Sequence, residues 1–112
     1  MIDIFLPNVD VAIVKKTIDA GEDCLLLDVR TKQEYAKEHI ENSRNIPFDE
    51  LTEHMGELPE DKHKKIYVYC FSGSRSAPAV EELLQVGYDN VFDVNHGILA
   101  WRAKKYPMAR KE

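Results

Sequence analysis

The chain has 112 residues, 44% of them apolar, enough for one compact domain that buries roughly two thirds of its unfolded surface without a metal or disulfide staple. Its 20 acidic and 15 basic residues set a net charge of −5, which argues against a general nucleic-acid or anionic-membrane binder. Two widely spaced cysteines, Cys24 and Cys70, lack metal-ligand spacing and suit a reducing compartment, and no apolar run approaches the roughly 20 residues of a membrane span, so a cytoplasmic protein is expected.

Strand and helix signals alternate along one expected domain, residues 1–112, of class α/β. A short extended start covers Ile2 to Leu6. In "VDVAIVKKTIDAG", Val11, Val14 and Ile18 share a helical face and Gly21 supplies a stop. "CLLLDV" is a continuous apolar run of strand length, as in a parallel sheet covered on both faces. Thr31 and Glu34 in "TKQEYAKEHI" form a capping-box pattern for a short helix. "NIPFDELTEHMGELP" reads as a brief extended piece, then a helix from about Phe48 to Met55, with Gly56 and Pro59 as the stop. Ile66 to Tyr69 is the central strand. Ala79, Val80, Leu83 and Leu84 make the apolar face of the next helix, which Gly87 closes. A strand near "NVFDV" and a helix through "GILAWRAK" complete about five strands and several helices.

In open parallel sheets ligands bind beyond the carboxyl ends of the strands. Cys70 stands at such an end. The segment Phe71 to Ser76 that follows is short, holds Gly73 and three serines, and runs into a helix whose start Pro78 marks. Several backbone amides can therefore converge above the sulfur as an anion cradle, which favours the nucleophilic thiolate. Spacing alone leaves a second reading open, a buried strand-end cysteine followed by an ordinary turn.

"CFSGSRS" resembles the active-site loop of the rhodanese-like sulfurtransferases, in which a cysteine is followed by a six-position loop closing on arginine and serine. "LLLDVRTKQEYAKEHI", "ENSRNIP" and "VNHGILAW" resemble three further blocks of that family in the same order, so the resemblance covers nearly the whole chain. It implies a parallel five-stranded sheet flanked by helices and a ping-pong transfer of sulfane sulfur. Cys70 would attack the terminal sulfur of a donor, thiosulfate or a persulfide, and pass it to a thiophilic acceptor. The loop residues Phe71, Ser72, Gly73, Ser74 and Ser76 would hold the persulfide anion with their amides. Neither a metal nor an organic cofactor is implied; the partners are small sulfur compounds or a sulfur-relay protein, with no nucleic acid and no membrane.

Arg75 matches the loop arginine, with two jobs open to it: binding an anionic donor, or tying loop carbonyls into shape, the second being preferred. Asp28 and Arg30 match the family's Asp-Val-Arg and read as a supporting polar network, beside the plainer reading of a strand cap and a solvated charge. Three positions depart from the pattern. Phe71 stands where many thiosulfate-using members carry a base, His96 takes the first place of a usual Gly-Gly pair, and Arg44 replaces an apolar residue. Cys24 reads as inert core, and Trp101 as packing its helix onto the sheet. His39, His54, His63 and His96 are scattered without ligand spacing, and "EDKHKK" is a solvated turn.

Two other function classes fit the same residues. A phosphatase or arsenate reductase uses a cysteine, an anion loop and an arginine, although phosphatases of this fold carry one more loop residue. A non-catalytic binding module is the other, and the intact Cys70, Gly73 and Arg75 argue against it.

Overall fold

The computed structural model describes residues 6–111, so all of the short start read over Ile2 to Leu6 except Leu6 lies outside them. The first strand is β1 (Asn8–Val9). After it come α1 (Val11–Asp19), β2 (Cys24–Asp28), α2 (Lys32–Lys37), β3 (His39–Ile40), β4 (Arg44–Asn45) and a 3-10 helix (Phe48–Glu57). The chain continues through β5 (Lys65–Tyr69), α3 (Ser76–Gln85), β6 (Val91–Val94), α4 (Gly97–Ala103) and β7 (Met108–Ala109).

Five strands form one parallel sheet in the order β1-β6-β5-β2-β4, the α/β architecture expected from the sequence. Strand period sorts the side chains. Leu25, Leu27, Ile66, Val68 and Cys70 face Ala79, Val80 and Leu83 of α3 and Leu51 of the 3-10 helix. Leu26, Tyr67 and Tyr69 face Val11 and Val14 of α1 and Ile98 and Trp101 of α4. The runs "CLLLD" and "KIYVY" are apolar throughout because helices cover both faces. No described helix is long and apolar enough to cross a membrane.

Local signals account for most boundaries. The Asp10 carboxylate caps α1 by accepting the Ala12 amide at 2.8 Å, and Gly21 follows the helix at φ +71°. The buried face of α1 holds Val11, Val14 and Thr17, while Ile18 is only half-buried. Thr17 can face inward because its hydroxyl meets the Ile13 carbonyl and the Tyr67 hydroxyl, both at 2.9 Å. The capping box of Thr31 and Glu34 is present in full.

Two elements differ from the sequence expectation. The segment from Phe48 is a 3-10 helix, broken at His54, rather than an α-helix to Met55. It has no side-chain cap and buries only Leu51, so it lacks the apolar stripe that sustains a longer α-helix. The helix after Thr31 ends at Lys37, and His39–Ile40 pair antiparallel with Met108–Ala109 in a separate two-stranded sheet. Burial of Ile40 in the core and the return of the C-terminal tail draw those residues away from the helix.

Candidate active site

Strands β2 and β5 run in register from Cys24↔Lys65 to Asp28↔Tyr69, so the chain leaves both at one level, and Cys70 is the first residue beyond β5. Its carbonyl accepts the Ile98 amide at 3.0 Å, and the Phe71 carbonyl accepts the Leu99 amide at 3.3 Å. The first turn of α4 thus grips the start of the loop by its backbone. Gly97 makes this approach possible. It adopts φ +49°, and a Cβ there would stand 2.2 Å from the Cys70 oxygen and 2.9 Å from that of Phe71. His96, ahead of it, is left-handed at φ 60°, which explains why a glycine suits that position.

The Cys70 sulfur is buried. The Gly73 amide donates to Sγ at 3.0 Å, and the thiol donates to the Ser76 hydroxyl at 3.4 Å. Ser76, itself buried, donates to the Gly73 carbonyl at 3.3 Å. Gly73 has φ +133°, a conformation that lets the loop turn its amide inward. Helix α3 begins at Ser76, with Arg75 at its N-cap and no side-chain cap, so the positive end of its dipole is open to an anion. Ser72 and Ser74 are exposed, and Phe71 is 43% exposed on the loop's outer side.

Arg75 is committed elsewhere. Its guanidinium donates to both oxygens of Glu34, at 2.7 and 3.1 Å, rather than to loop carbonyls. That pairing holds the Glu34 carboxyl down at about 2 and raises Arg75. Asp28 and Arg30 form a buried ion pair, with Nε at 3.1 and 3.0 Å from the two carboxylate oxygens and Nη2 at 2.7 Å from Oδ2. Nη2 also reaches the Glu38 carbonyl at 2.7 Å, and the Asn45 amide binds the Asp28 and Arg30 carbonyls at 3.0 and 2.9 Å. This network ties β2, α2 and β4 together beside the loop.

Cys24 sits at the opposite end of the sheet, five strand residues or about 17 Å from the level of Cys70. Burial raises its thiol pKa. His39 stacks on Tyr35 at 3.7 Å and bonds its carbonyl, and Trp101 is buried with its ring N–H on the Pro107 carbonyl at 2.9 Å. Arg44 lies exposed on the edge strand. Among the described residues no group of three or more His, Cys, Asp or Glu could hold a metal ion.

Sequence reasoning had not connected three residues to this region. Glu34 was legible as a cap, but its hold on Arg75 spans 41 positions. Gly97 lies in the motif "VNHGILAW", which does not disclose the contact that requires it. Asp93 is the third. It pairs in register with Val68, two residues before Cys70, on the sheet face covered by α3. Burial raises its carboxyl pKa, and the Ser76 hydroxyl opposes that rise. A carboxylate inside the apolar strand "VFDV" was the available signal.

A parallel α/β sheet ending in a cysteine beneath an amide-bearing loop and an open helix terminus defines a class of anion-loop cysteine proteins. The chain belongs to the rhodanese-like domain family, whose model matches residues 10–104. It is 36% identical over 91 residues to a sulfurtransferase of Allochromatium vinosum, covering 81% of this chain and 83% of that protein. It is 33% identical over 99 residues to the putative sulfur carrier protein YrkF of Bacillus subtilis, covering 88% of this chain but only 52% of the relative. The crystal structure of a rhodanese-related protein from Thermoplasma volcanium superposes with a TM-score of 0.81 at 40% identity, over 92% of this chain and 97% of that one.

Proposed function

We propose that this protein is a sulfurtransferase in which Cys70 carries the sulfur. Sulfur transfer in general has the support of the family and of the sulfurtransferase relative. The observation that carries the assignment to Cys70 is the Gly73 amide donating to its sulfur at 3.0 Å at the open end of α3. A donor presents a terminal sulfur, the Cys70 thiolate attacks it, and the donor's S–S bond breaks with its electron pair leaving on the donor remnant. The outer sulfur remains on Cys70 as a persulfide anion, held by the loop amides and the helix terminus. A thiophilic acceptor then attacks that outer sulfur, and the S–S bond breaks with its electron pair returning to the Cys70 sulfur. No external oxidant or reductant enters.

The donor in this reading is a persulfide rather than thiosulfate. Arg75 is neutralised by Glu34, and Phe71 gives the lip of the loop an apolar face. A relay protein is a fitting donor or acceptor, in keeping with the sulfur-carrier name of the Bacillus relative. The reading also takes residues 1–112 as one catalytic domain, of which the family model matches 10–104, working in a reducing compartment.

Intact-mass measurement after exposure to a sulfane donor tests it. One added sulfur, removable by cyanide, is expected in the wild type and in Cys24→Ser and is expected to be absent in Cys70→Ser. Loading of Cys70→Ser to the wild-type level would overturn the assignment.

A further inference from the structure

We propose that Asp93 is the proton store of Cys70, reached through the Ser76 hydroxyl, an inference that rests on the reading of Cys70 as sulfur carrier. Asp93 Oδ1 is the one buried side-chain nitrogen or oxygen among the described residues without a hydrogen-bond partner. A native interior seldom leaves such an atom orphaned without a reason. The atom lies where the reason can be read: its strand position matches Val68, on the face that carries Cys70, beneath the first turn of α3. Ser76, the first residue of α3, is fully buried against this face and accepts the Cys70 thiol at 3.4 Å; its hydroxyl is turned to the Gly73 carbonyl in this arrangement and is near enough to Asp93 to counter the effect of burial on the carboxyl.

A serine hydroxyl donates one proton and accepts two, so it can pass a proton without holding a charge. In the resting arrangement the thiol donates to Ser76 and Ser76 donates to the Gly73 carbonyl. Rotation of the hydroxyl toward Asp93 completes a chain. On loading, the Cys70 proton moves to Ser76 Oγ as the Ser76 proton moves to the Asp93 carboxylate. This leaves a thiolate that accepts from Ser76 and Gly73, beside a neutral carboxylic acid. On release, the acceptor takes the outer sulfur, the bond to Sγ breaks onto Sγ, and the proton returns by the same path, so that Cys70 leaves as a thiol. The pocket holds one negative charge throughout. With Asp93 ionised beside a persulfide anion it would hold two, which burial penalises.

The other charged groups near the chain are already committed. Arg75 of the loop is bound by Glu34 of α2, Asp28 of β2 is bound by Arg30, and His96 before α4 is exposed. Burial shifts the Asp93 carboxyl upward from the usual carboxylate range and only Ser76 opposes it, the direction a group needs if it is to hold a proton during turnover.

The first measurement is the rate of Cys70 alkylation by iodoacetamide against pH, read by peptide mapping on the intact chain. Two coupled groups that share a proton titrate in two steps, so the wild type should rise, flatten and rise again. Asp93→Asn should give one step, with a faster rate than wild type on the plateau and the same rate at high pH. A single step in the wild type, or the same profile in both proteins, would overturn the proposal. This arm needs no sulfur transfer, so it stands apart from any failure of Cys70 to load. The second is the rate at which cyanide removes sulfur from preloaded protein at mildly acidic pH. Asp93→Asn and Ser76→Ala should each slow it, on the order of tenfold, and the double variant should be no slower than either. Losses that multiply in the double variant would show two independent roles and would sink the relay.

Discussion

Glu34 Oε1 accepts from Arg75 at 2.7 Å and from the Thr31 amide at 3.0 Å, so one carboxylate both caps α2 and holds the residue that opens α3. Thr31 and Arg75 line one pocket together with Val29, Pro47, Phe48 and Asp49, and Glu34 joins them. The arginine of this site is thereby a structural member of the loop wall, its charge already matched.

The pairing fixes the sign of a pH effect. The Glu34 carboxyl is held at about 2 in the folded protein against 4.5 ordinarily, so the unfolded chain binds more protons between those values. Its stabilisation is fully present above pH 4.5 and is lost as pH falls toward 2. Glu34→Gln should cost about 1–2 kcal/mol at pH 7, after allowance for the partial solvent exposure of both side chains. The gap between wild type and variant should close in acid. Denaturant unfolding at pH 7, 4 and 2.5 measures it, and a gap that stays constant would refute the link.

A second expectation concerns Phe71. Its ring is exposed at the loop, and Arg75, the one basic residue from Cys70 to Ser76, is spent on Glu34, so the loop itself offers a small dianion no unpaired cation. Phe71→Arg should lower KM for thiosulfate by roughly fivefold, the worth of one exposed ion pair, and added salt should erode the gain. Saturation of the wild type at low thiosulfate, unchanged by the substitution, would contradict this account.

Gly97 supplies a third. Alanine would bring its Cβ to 2.2 Å from the Cys70 oxygen, against backbone on both sides, and would hold a left-handed φ. The loop or α4 must move. Gly97→Ala should destabilise the fold by about 2–4 kcal/mol, lowering Tm by roughly 10 °C or more, and should slow sulfur loading. Gly56→Ala is the control, since a Cβ there meets nothing within 4 Å. Equal unfolding temperatures for the two variants would mean that the contact is relieved at little cost.

What the residues disclosed in advance follows from how far each signal reaches along the chain. The buried runs Cys24–Asp28 and Lys65–Tyr69, the capping box and the stop at Gly21 are set by neighbours within a few positions, and each was legible. So was the place of Cys70, because a strand end followed by a glycine-bearing turn and a helix is a local pattern. The pairing of His39–Ile40 with Met108–Ala109, the grip of Glu34 on Arg75 and the approach of Gly97 to Cys70 join residues 27 to 70 positions apart. No local propensity encodes them. The 3-10 helix failed differently: its composition permits an α-helix, and the choice was made by how little of it the core can cover.

Loop length carries the last expectation, which separates sulfur from phosphate. Four residues, Phe71 to Ser74, lie between Cys70 and Arg75, and the ring they form is tight enough for the Gly73 amide to stand 3.0 Å from Sγ. A persulfide places one sulfur atom above the cysteine, and a narrow ring of donors suits it. A phosphoryl group brings three equatorial oxygens, each in need of a donor, and so requires a wider cradle. Arg75 cannot supply the missing donors while Glu34 holds both of its outer nitrogens. Hydrolysis of p-nitrophenyl phosphate by the native chain should be negligible beside its transfer of sulfur from a persulfide to cyanide. Insertion of one glycine after Gly73 should weaken sulfur transfer and admit some phosphate or arsenate chemistry, more so in combination with Glu34→Gln, which frees the guanidinium. Robust phosphate-ester hydrolysis by the unmodified protein, abolished in Cys70→Ser, would replace the sulfurtransferase reading with a phosphatase.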